Sequence, residues 1–403
     1  MSALAPADEA EIAQAIGEAR ARATPLLLAG RATKDGILRP VQAETTLSLK
    51  NHAGVTLYAP NELILSARAG TPLAEIEALV AGAGQQIIAE PPDLAALLGE
   101  TEGAQTLGGV VACNLSGPRR ITAGAMRDHV MGLRAVNGAG EIIRAGGRVL
   151  KNVTGLDLCK LLTGSFGTLA AITEITLKVL PAAETTATLV LPGLDAQRGV
   201  AALAQALGAP FGVSAAAWLP RAQAARVGEL AGFAASVALV RIEDFRPSVL
   251  YRGERLRALL SEFGAAEILD EAPSRAVWRA VRDAAPLGPV GGHDAVWRVS
   301  VRPSAGPGIV AVAEGLGGRC FLDWGGGLAW ITAEASAETH RAITEAARAA
   351  GGVWWLMRAP AALRASLDVV PAEPAPLAAI ARRVKAAFDP AFILNPGRIH
   401  VGL

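Results

Sequence analysis

Hydrophobic positions recur in short runs through residues 1–182, and glycine turns separate the runs. Ile12 and Ile16 fall on one side of an amphipathic helix that the spacing predicts over residues 9–22. Thr71 and Pro72 are typical of an N-cap followed by a first-turn proline, so we expect a helix to begin at Leu73. Short strands are predicted at 25–29, 45–49, 54–59 and 62–69.

The pattern changes after Pro181, where longer apolar strands alternate with amphipathic helices. Predicted strands lie near 185–192, 212–219, 235–242, 295–302, 319–323, 328–333 and 352–357, and predicted helices at 194–207, 247–263, 337–349 and 374–388. This order is similar to a pair of β-α-β-β units, and it indicates an α+β fold class. Asp323 to Gly327 predicts a hairpin turn, with an active-site glycine loop as the alternative.

Composition and charge exclude several classes of protein. The 403 residues are 51% hydrophobic and 19% charged, which is too apolar for a disordered chain. The 38 basic and 37 acidic residues leave a net charge of +1, which argues against an electrostatic nucleic-acid binder. The 3 cysteines are widely spaced and the 5 histidines are scattered, so we predict no disulfide framework, no four-cysteine iron–sulfur cluster and no metal site in this chain.

The N-terminus resembles no targeting signal, since Asp8, Glu9 and Glu11 replace the basic and apolar segments of a signal peptide. The longest uncharged tract, 199–220, is broken by Gly208, Ala209 and Pro210. We therefore expect a cytoplasmic protein, or one that is peripheral at the inner face of the cytoplasmic membrane through a partner.

Three glycine clusters in residues 1–182 could bind an anion: 30–34, 106–117 and 164–169. Glycine lets the backbone approach a ligand closely, and successive backbone N–H groups form a nest for phosphate. Thr33, Asn114 and Ser116 add side-chain donors, so the set suits a pyrophosphate. Neither GxGxxG nor GxxxxGK[ST] is present, which argues against a Rossmann NAD site and an ATPase. Each loop taken alone is also compatible with a simple turn.

The order of these clusters resembles the FAD-binding domain of the vanillyl-alcohol oxidase/p-cresol methylhydroxylase (VAO/PCMH) flavoproteins. The resembling segments are 25–34, 90–92, 106–109, 124–132, 133–138, 151–157 and 164–173. Within that family the closest resemblance is to the FAD-binding E subunits of glycolate oxidase (glycolate dehydrogenase). It is carried by Asn114–Arg120, Gly146–Val153, Phe388–Pro390 and Asn395–Arg398.

The resemblance implies a PCMH-type FAD-binding domain at 1–182, an α+β cap domain at 183–375 and a C-terminal segment, 376–403, that returns to the flavin domain. It also implies FAD as the cofactor. The implied cofactor-binding residues are Gly30, Arg31, Ala32, Thr33, Lys34, Thr106, Leu107, Gly108, Gly109, Asn114, Ser116, Gly117, Arg119, Arg127, Lys151, Gly167, Ile172 and Asn395. We expect the attachment to be non-covalent, because the first loop has no His, Cys or Tyr and Cys113 is interpreted as a buried small hydrophobe.

Several of these residues have a structural alternative. Ala32 stands where relatives usually carry Gly or Asn, so it is strained if the position needs a positive φ. Arg119 and Arg120 fit either cofactor phosphates and a reduced flavin or a solvated or partner-facing surface. Arg127 can pair with Asp128 instead.

Two further sets of charged residues have alternatives of the same kind. Lys151 and Asp157 can simply fix the loop around Gly155. Arg298, on a predicted strand, is a candidate clamp for a substrate carboxylate, and a structural ion pair is the alternative.

By this resemblance the protein is an FAD-dependent oxidoreductase subunit that oxidises glycolate to glyoxylate together with a larger FAD-containing subunit and an iron–sulfur subunit. The relatives that oxidise 2-hydroxy acids by themselves carry a C-terminal histidine cluster, which this chain lacks. Two alternatives stay open: a self-contained FAD-dependent 2-hydroxy acid dehydrogenase, and a non-catalytic scaffold that kept the fold.

Overall fold

The computed structural model describes residues 2–147 and 155–403. The described strands are β1 Ser2–Leu4, β2 Leu26–Ala29, β3 Thr45–Ser48, β4 Val55–Ala59, β5 Ile64–Arg68, β6 Gln85–Gln86, β7 Val130–Asn137, β8 Ile142–Gly146, β9 Ala170–Lys178, β10 Leu180–Pro181, β11 Thr185–Pro192, β12 Val213–Leu219, β13 Val237–Asp244, β14 Glu267–Leu269, β15 Asp294–Ser300, β16 Arg319–Asp323, β17 Leu328–Glu334 and β18 Val353–Arg358. The described helices are α1 Glu9–Ala21, α2 Leu73–Gly82, α3 Ala95–Leu98, α4 Leu107–Ala112, α5 Arg120–Ala123, α6 Met126–His129, α7 Leu158–Leu162, α8 Ala196–Gly208, α9 Arg221–Ala224, α10 Arg246–Leu259, α11 Glu271–Arg282, α12 Gly306–Gly315, α13 Ala337–Ala349, α14 Ala361–Ser366 and α15 Ala375–Phe388.

Up to residue 182, the N-terminal region, the described strands form a parallel sheet in the order β1-β3-β2 and an antiparallel sheet in the order β4-β5-β9-β7-β8. Helix α1 forms as predicted: the Asp8 side chain caps it, and Ile12 and Ile16 are fully buried. The predicted cap of α2 is wrong. Pro72 occupies the N-cap position itself, and the Thr71 hydroxyl donates instead to the Arg68 carbonyl at 2.7 Å.

From residue 183 to 375, the second region, one antiparallel sheet forms in the order β14-β11-β13-β12-β16-β17-β15-β18. Its two halves, β11-α8-β12-β13-α10 and β15-α12-β16-β17-α13-β18, are joined in the sheet by the pairing of β12 with β16 at Trp218 and Leu322. This arrangement confirms the predicted pair of β-α-β-β units. Asp323 and Leu328 pair across the turn between β16 and β17, so the predicted hairpin is also confirmed.

The two faces of this sheet have different neighbours, because successive side chains of a strand point to opposite sides. On β13, Arg241 and Glu243 point towards the N-terminal region, where they bond Glu90 and Arg119. Ile242, between them, points to α10, where a Cβ atom added at Gly253 would lie 3.6 Å from the Ile242 Cδ1 atom. Helix α10 therefore covers the face of the sheet that is turned away from the N-terminal region.

The C-terminal helix α15 is anchored to the N-terminal region by a buried ion pair. The Lys385 ammonium donates to Asp389 at 2.6 Å, to the Thr168 carbonyl at 2.6 Å and to the Leu394 carbonyl at 2.9 Å. The Asp389 carboxylate also accepts from the backbone of Leu394 at 2.8 Å. The segment after α15 then pairs with β2, where the Leu26 N–H donates to the Ile393 carbonyl at 2.8 Å and the Asn395 N–H donates to the Leu26 carbonyl at 3.0 Å. None of the described helices combines the length and the apolar character needed to cross a membrane.

Candidate functional site

A cavity lies where the first glycine loop, the start of α4, the start of β9 and the C-terminal segment meet. Eleven of the predicted cofactor-binding residues are among those that line it: Gly30, Arg31, Ala32, Thr33, Lys34, Thr106, Gly108, Gly109, Gly167, Ile172 and Asn395. The other lining residues include Leu28, Cys113, Phe166, Ala171 and Arg398. The structure therefore brings together segments that are more than 350 residues apart, as the hydrogen bonds from Asn395 show.

The first loop leaves β2 at Gly30 and packs tightly against the second loop. A Cβ atom at Gly30 would overlap the Thr106 hydroxyl, so only glycine allows this approach. Two residues further on, Ala32 has a φ of 61°. This is the left-handed conformation anticipated for the position, and alanine is strained in it.

The second loop begins at Thr106, whose hydroxyl accepts from the Gly109 N–H at 3.2 Å and caps α4. Gly108 packs against Ala69 and donates to the Ala69 carbonyl at 2.8 Å. A Cβ atom at Gly109 would lie 3.9 Å from the Lys34 ammonium nitrogen. The open side of this turn therefore faces Lys34 across the cavity.

Lys34 supplies a buried positive charge to the cavity. Its ammonium donates to Gln105 at 3.1 Å and to Thr33 at 3.4 Å, and it forms no ion pair with any described residue. Burial lowers the pKa of this ammonium, while the nearby Cys113 and Asp93 act to raise it. A buried cation beside glycine backbone and without a counter-ion suits a phosphate group.

The C-terminal segment closes the cavity from the other side. Asn395 accepts from the Leu28 N–H at 2.8 Å and donates to the Phe166 carbonyl at 2.7 Å. Arg398 donates to the Lys34 carbonyl at 2.7 Å and to the Arg39 carbonyl at 3.2 Å. The conformation of the first loop is therefore held by residues at the far end of the chain. Sequence analysis had assigned a role to Asn395 but not to Arg398.

Other predicted cofactor residues lie outside the cavity lining. Asn114 accepts from the Arg127 N–H at 3.0 Å, Ser116 accepts from the Met126 N–H at 2.9 Å, and Gly117 donates to the Ala89 carbonyl at 2.9 Å. These bonds hold the turn after α4. They use the side-chain oxygens of Asn114 and Ser116, which we had expected to face the pyrophosphate. Leu107 is fully buried, and Lys151 lies outside the described residues.

Arg119 lies in a buried ionic cluster between the two regions. Its guanidinium bonds Glu243 at 2.6 and 2.9 Å and pairs with Glu90 at 3.4 Å. Arg241 bonds Glu90 at 2.9 and 3.0 Å and pairs with Glu243 at 3.3 Å. In this cluster of four residues, the Glu90 cluster, Arg119 is paired inside the chain, whereas the alternative predicted for it was a solvated or partner-facing surface.

Arg127 remains near the surface, 4.0 Å from Asp128. Asp128 in turn pairs with Lys160 at 2.9 Å. Burial acts to raise the pKa of Asp128, but Lys160, the Ala125 N–H and Arg127 lower it below its ordinary value. The predicted Arg127–Asp128 ion pair is therefore present as a long, half-exposed contact.

Arg298 sits among three tryptophans on the sheet face next to the N-terminal region. Its guanidinium carbon lies 4.7, 5.9 and 5.4 Å from the ring centres of Trp324, Trp330 and Trp355. It forms no ion pair with a described residue, so the structural ion pair that was the alternative is absent from the described part. Burial, together with the positive charge of Arg120, lowers the pKa of Arg298 to about 9, although Asp323 acts to raise it.

This tryptophan cage contacts the N-terminal region at two points. Trp355 stacks edge-on against Phe166, which lines the cavity, with ring centres 5.3 Å apart. The Trp324 indole donates to the Gly117 carbonyl at 3.1 Å, and Arg120 lies 4.7 Å over its ring. Trp324 has a φ of 53°, a rare conformation for a bulky residue and a mark of functional or strained sites.

Asp323 holds that strained residue in place. Its carboxylate accepts from the Trp324 N–H at 2.7 Å, and burial raises the pKa of Asp323 to about 7. The sequence predicted a hairpin turn at Asp323 and Trp324, with an active-site glycine loop as the alternative, and it did not predict the contacts of either side chain. A Trp directly before three glycines was the available signal, since a bulky residue in a tight turn needs a packing partner elsewhere.

The residues that line the cavity fit FAD. Two glycine loops offer backbone N–H groups beside an unpaired buried lysine, which matches a pyrophosphate, and the apolar residues Ala171, Ile172 and Phe166 continue the lining.

In the described residues, no group of three His, Cys, Asp or Glu side chains could hold a metal ion. Burial raises the pKa of the Cys113 thiol to about 11.

The fold and the cavity define a flavoprotein oxidoreductase of the VAO/PCMH type. Substrate-bound p-cresol methylhydroxylase superimposes over 99% of this chain and 88% of its own with a TM-score of 0.73, at 13% sequence identity. The family described as FAD binding domain matches residues 2–146.

Two curated relatives define the family further. Glycolate oxidase subunit GlcE of Escherichia coli is 34% identical over 389 residues, which are 96% of this chain and 96% of that protein. Glycolate oxidase subunit GlcD of Bacillus subtilis is 45% identical over 84 residues, which are 21% of this chain and 18% of that protein. The chain belongs to the FAD-linked oxidoreductase family that includes the glycolate oxidase subunit GlcE.

Proposed function

We propose that this chain is the FAD-binding subunit of a glycolate oxidase complex, which oxidises glycolate to glyoxylate. The observation that carries the proposal is the likeness to the Escherichia coli subunit GlcE over 96% of both chains. The second relative, GlcD of Bacillus subtilis, is also a subunit of a glycolate oxidase, which supports a complex of several subunits. Its other members would be a larger FAD-containing subunit and an iron–sulfur subunit that receives the electrons.

FAD would be held non-covalently in the cavity by the first loop, the start of α4 and the C-terminal segment. The Lys34 ammonium would pair with the pyrophosphate, and the backbone near Ile172 would face the adenine. Covalent attachment is disfavoured because the Cys113 thiol stays protonated when burial raises its pKa to about 11, and no His or Tyr is among the residues that line the cavity. Bound FAD supplies a two-electron acceptor for a hydride from the substrate carbon.

The proposed division of labour follows residues 1–182, 183–375 and 376–403. The first would bind the cofactor, the second would cover it as a cap, and the third would return to fix the first loop. The single eight-stranded sheet of 183–375 and the bonds of Asn395 and Arg398 to the N-terminal region support this division.

Arg298 would anchor a substrate carboxylate on the cap side. A guanidinium that lacks a carboxylate partner among the described residues, and that three tryptophans hold in place, is preorganised for a bidentate anion. A small 2-hydroxy acid provides such an anion. Its carboxylate would offset one of the two positive charges of Arg120 and Arg298, which repel each other.

Full turnover needs a base that takes the hydroxyl proton, and the sequence has no histidine cluster for it. We therefore assign substrate oxidation to the assembled complex. The test is an artificial-acceptor assay with glycolate on the FAD-loaded chain, alone and with the two other subunits. The complex should turn over, while the lone chain should be slower by about 10²–10⁴-fold.

The unpaired Arg298 also favours a second candidate, a self-contained FAD-dependent 2-hydroxy acid dehydrogenase. Robust glycolate or D-lactate turnover by the lone chain would select it. Arg298→Ala should then abolish that turnover, whereas Arg22→Ala, at the exposed ion pair with Glu18, should leave it unchanged. If the lone chain is inactive, glycolate should still perturb the flavin absorbance of wild type more strongly than that of Arg298→Ala.

A further inference from the structure

Among the described residues that line the cavity, Asp35 alone carries a carboxylate. Its side chain is half-buried, accepts no hydrogen bond from a described residue and forms no ion pair with one. A negative charge near a pyrophosphate opposes the binding of the phosphates. If FAD occupies the cavity, this carboxylate therefore has to face a different part of the cofactor.

The main chain of Asp35 is fixed by bonds to three parts of the molecule. Its N–H donates to the Ala32 carbonyl at 3.1 Å, within the first loop. Its carbonyl accepts from Arg364 at 3.1 Å and from Arg398 at 3.3 Å. Arg364 lies on α14 of the second region, and Arg398 lies in the C-terminal segment. The Asp35 side chain therefore lines the cavity from a backbone that is held in place.

The charges around Asp35 do not form a structural ion pair with it. Burial raises the pKa of Asp35 above its ordinary value of 3.8, and the charge of Glu100 adds to the rise. Arg398 and Arg364 act to lower this pKa, but both guanidinium groups donate to main-chain carbonyls rather than to the carboxylate. The hydrogen-bonding capacity of the Asp35 side chain is thus left for a ligand.

FAD in the cavity would separate the Asp35 carboxylate from solvent. A desolvated carboxylate without a hydrogen bond is costly, so the part of FAD that lies against it has to be a donor. The pyrophosphate is only an acceptor, and Lys34 and the turn at Gly109 already suit it. The hydroxyl groups of the ribityl chain and of the ribose stand on either side of the pyrophosphate, and Asp35 directly follows Lys34 in the first loop.

We propose that the Asp35 carboxylate accepts a hydrogen bond from a hydroxyl group of bound FAD, on one of the two sugar chains beside the pyrophosphate. This inference rests on the proposed function, because it takes FAD to be the occupant of the cavity. Asp35 and Lys34 would then divide the recognition of FAD between them. The ammonium would neutralise phosphate charge, and the carboxylate would select a hydroxylated chain through a charge-assisted hydrogen bond.

The experiment titrates the apoproteins of wild type, Asp35→Asn and Asp35→Ala with FAD. The Asn variant keeps the shape of the side chain and removes its charge, and the Ala variant removes the acceptor altogether. Glu62→Gln, at an exposed position outside the cavity lining, is the control that changes the net charge by the same amount as Asp35→Asn. Urea unfolding of each apoprotein is measured alongside.

FAD affinity should fall about ten- to a hundredfold in Asp35→Ala, the loss expected for one hydrogen bond to a charged group, and by a smaller factor in Asp35→Asn. The control should bind FAD as wild type does. The Asp35→Asn apoprotein should be at least as stable as wild type, because a half-buried carboxylate without a partner has been removed.

Two results would overturn the proposal. Equal or higher FAD affinity in Asp35→Ala would show that the carboxylate makes no favourable contact with the cofactor. A loss of apoprotein stability as large as the loss of affinity would show that Asp35 is a structural partner of Arg398 and Arg364 instead. A wild-type chain that takes up no FAD would overturn the proposed function as well, so the two failures are distinguishable.

Two fragments of FAD identify the hydroxyl group. FMN contains the ribityl chain without the ribose, and ADP contains the ribose without the ribityl chain. If Asp35→Ala weakens the binding of FMN and leaves that of ADP unchanged, the donor is a ribityl hydroxyl, and the reverse result assigns it to the ribose. Equal losses with both fragments would mean that the loop itself has changed, and no loss with either would mean that the effect on FAD is indirect. Both of these results would contradict the proposal.

Discussion

At the scale of single residues, backbone strain and unpaired positive charge mark both the cavity and the tryptophan cage. Ala32, Trp324 and Asn395 all have positive φ angles, of 61°, 53° and 41°. Lys34 and Arg298 are positive charges without a carboxylate partner in the described part of the chain. Backbone strain and uncompensated charge lower the stability of the fold. They persist where the surrounding structure holds them in place, and such positions cluster at functional sites.

Ala32→Gly should stabilise the protein by about 0.5–1 kcal/mol, because glycine removes the steric cost of the left-handed conformation. The greater conformational entropy of glycine in the unfolded chain offsets part of this gain. FAD affinity should be unchanged or higher, since the loop geometry is kept. Thermal and urea unfolding of the apoprotein would show the gain. A less stable Ala32→Gly protein would mean that the loop is not left-handed at this position.

Lys34→Met should weaken FAD binding about ten- to hundredfold, the size expected when a hydrogen bond to a charged group is lost. The apoprotein should become more stable, because a buried ammonium without a counter-ion is removed. Lys34→Arg is the control that keeps the charge. Titration of the apoproteins with FAD measures the first effect, and equal affinities in wild type and Lys34→Met would contradict the assignment.

The stability effect of Lys34→Met depends on pH with a definite sign. Burial lowers the pKa of Lys34 in the folded state below the ordinary value of 10.5. Unfolding therefore takes up a proton at any pH between the pKa of the folded state and 10.5. The charged Lys34 ammonium destabilises the folded wild-type protein fully at a pH below the pKa of the folded state. This destabilisation fades as pH rises towards 10.5. The stability gap between the variant and wild type should therefore narrow in alkaline solution.

At the scale of secondary-structure elements, the strands and helices were predictable where their pattern is local. Ile12 and Ile16 repeat within α1, and the hairpin at Asp323 joins neighbouring strands. The contacts of Asn395 and Arg398 were not predictable, because their partners in the first loop lie more than 350 residues away in the chain. The bonds of Asn114 and Ser116 to the backbone of Arg127 and Met126 were not predictable either, since a hydrogen-bonding side chain in a turn serves the turn as readily as a ligand.

Helix α4 gives a matched pair of glycine variants. Gly109→Val should abolish FAD retention, because its branched side chain would enter the space beside Lys34, where a Cβ already lies 3.3 Å from the Thr106 hydroxyl. Gly108→Ala should instead destabilise the apoprotein by about 1–3 kcal/mol, since its Cβ would lie 2.7 Å from that of Ala69. FAD content after gel filtration and apoprotein unfolding separate the two effects. Full FAD occupancy in Gly109→Val would show that the cofactor lies elsewhere.

The Glu90 cluster joins β13 to the N-terminal region, and its removal should be costly. Glu243→Gln should destabilise the protein by about 3 kcal/mol at neutral pH, because Arg119 and Arg241 lose a buried partner. Glu254→Gln, at the exposed pair with Arg257, should change stability by less than about 1 kcal/mol. Chemical denaturation of both variants at pH 7 is the measurement.

The acid dependence of Glu243→Gln follows from its pKa. Burial acts to raise the pKa of Glu243, but Arg241 and Arg119 lower it from 4.5 to about 2. A depressed carboxyl pKa stabilises the fold above pH 4.5, and this contribution is lost as pH falls through about 2. Wild type and Glu243→Gln should therefore converge in stability between these two values, and a constant gap would contradict the cluster.

At the scale of the whole molecule, the N-terminal region and the C-terminal segment meet at one cavity. The C-terminal segment fixes the first loop, and the Glu90 cluster and the Trp324 and Trp355 contacts join the sheet of 183–375 to the N-terminal region. The family resemblance predicted this architecture from its glycine motifs. The ionic cluster and the tryptophan cage could not be predicted, because they depend on how two regions pack face to face.

The central claim is that this chain binds FAD, non-covalently, in that cavity. The most direct test is acid precipitation of the purified protein, with chromatographic identification of the flavin in the supernatant and in the pellet. The account predicts a yellow protein that releases FAD into the supernatant at about one molecule per chain, with no flavin left in the pellet. A colourless chain that takes up no added FAD, release of FMN alone, or flavin retained in the pellet would contradict it.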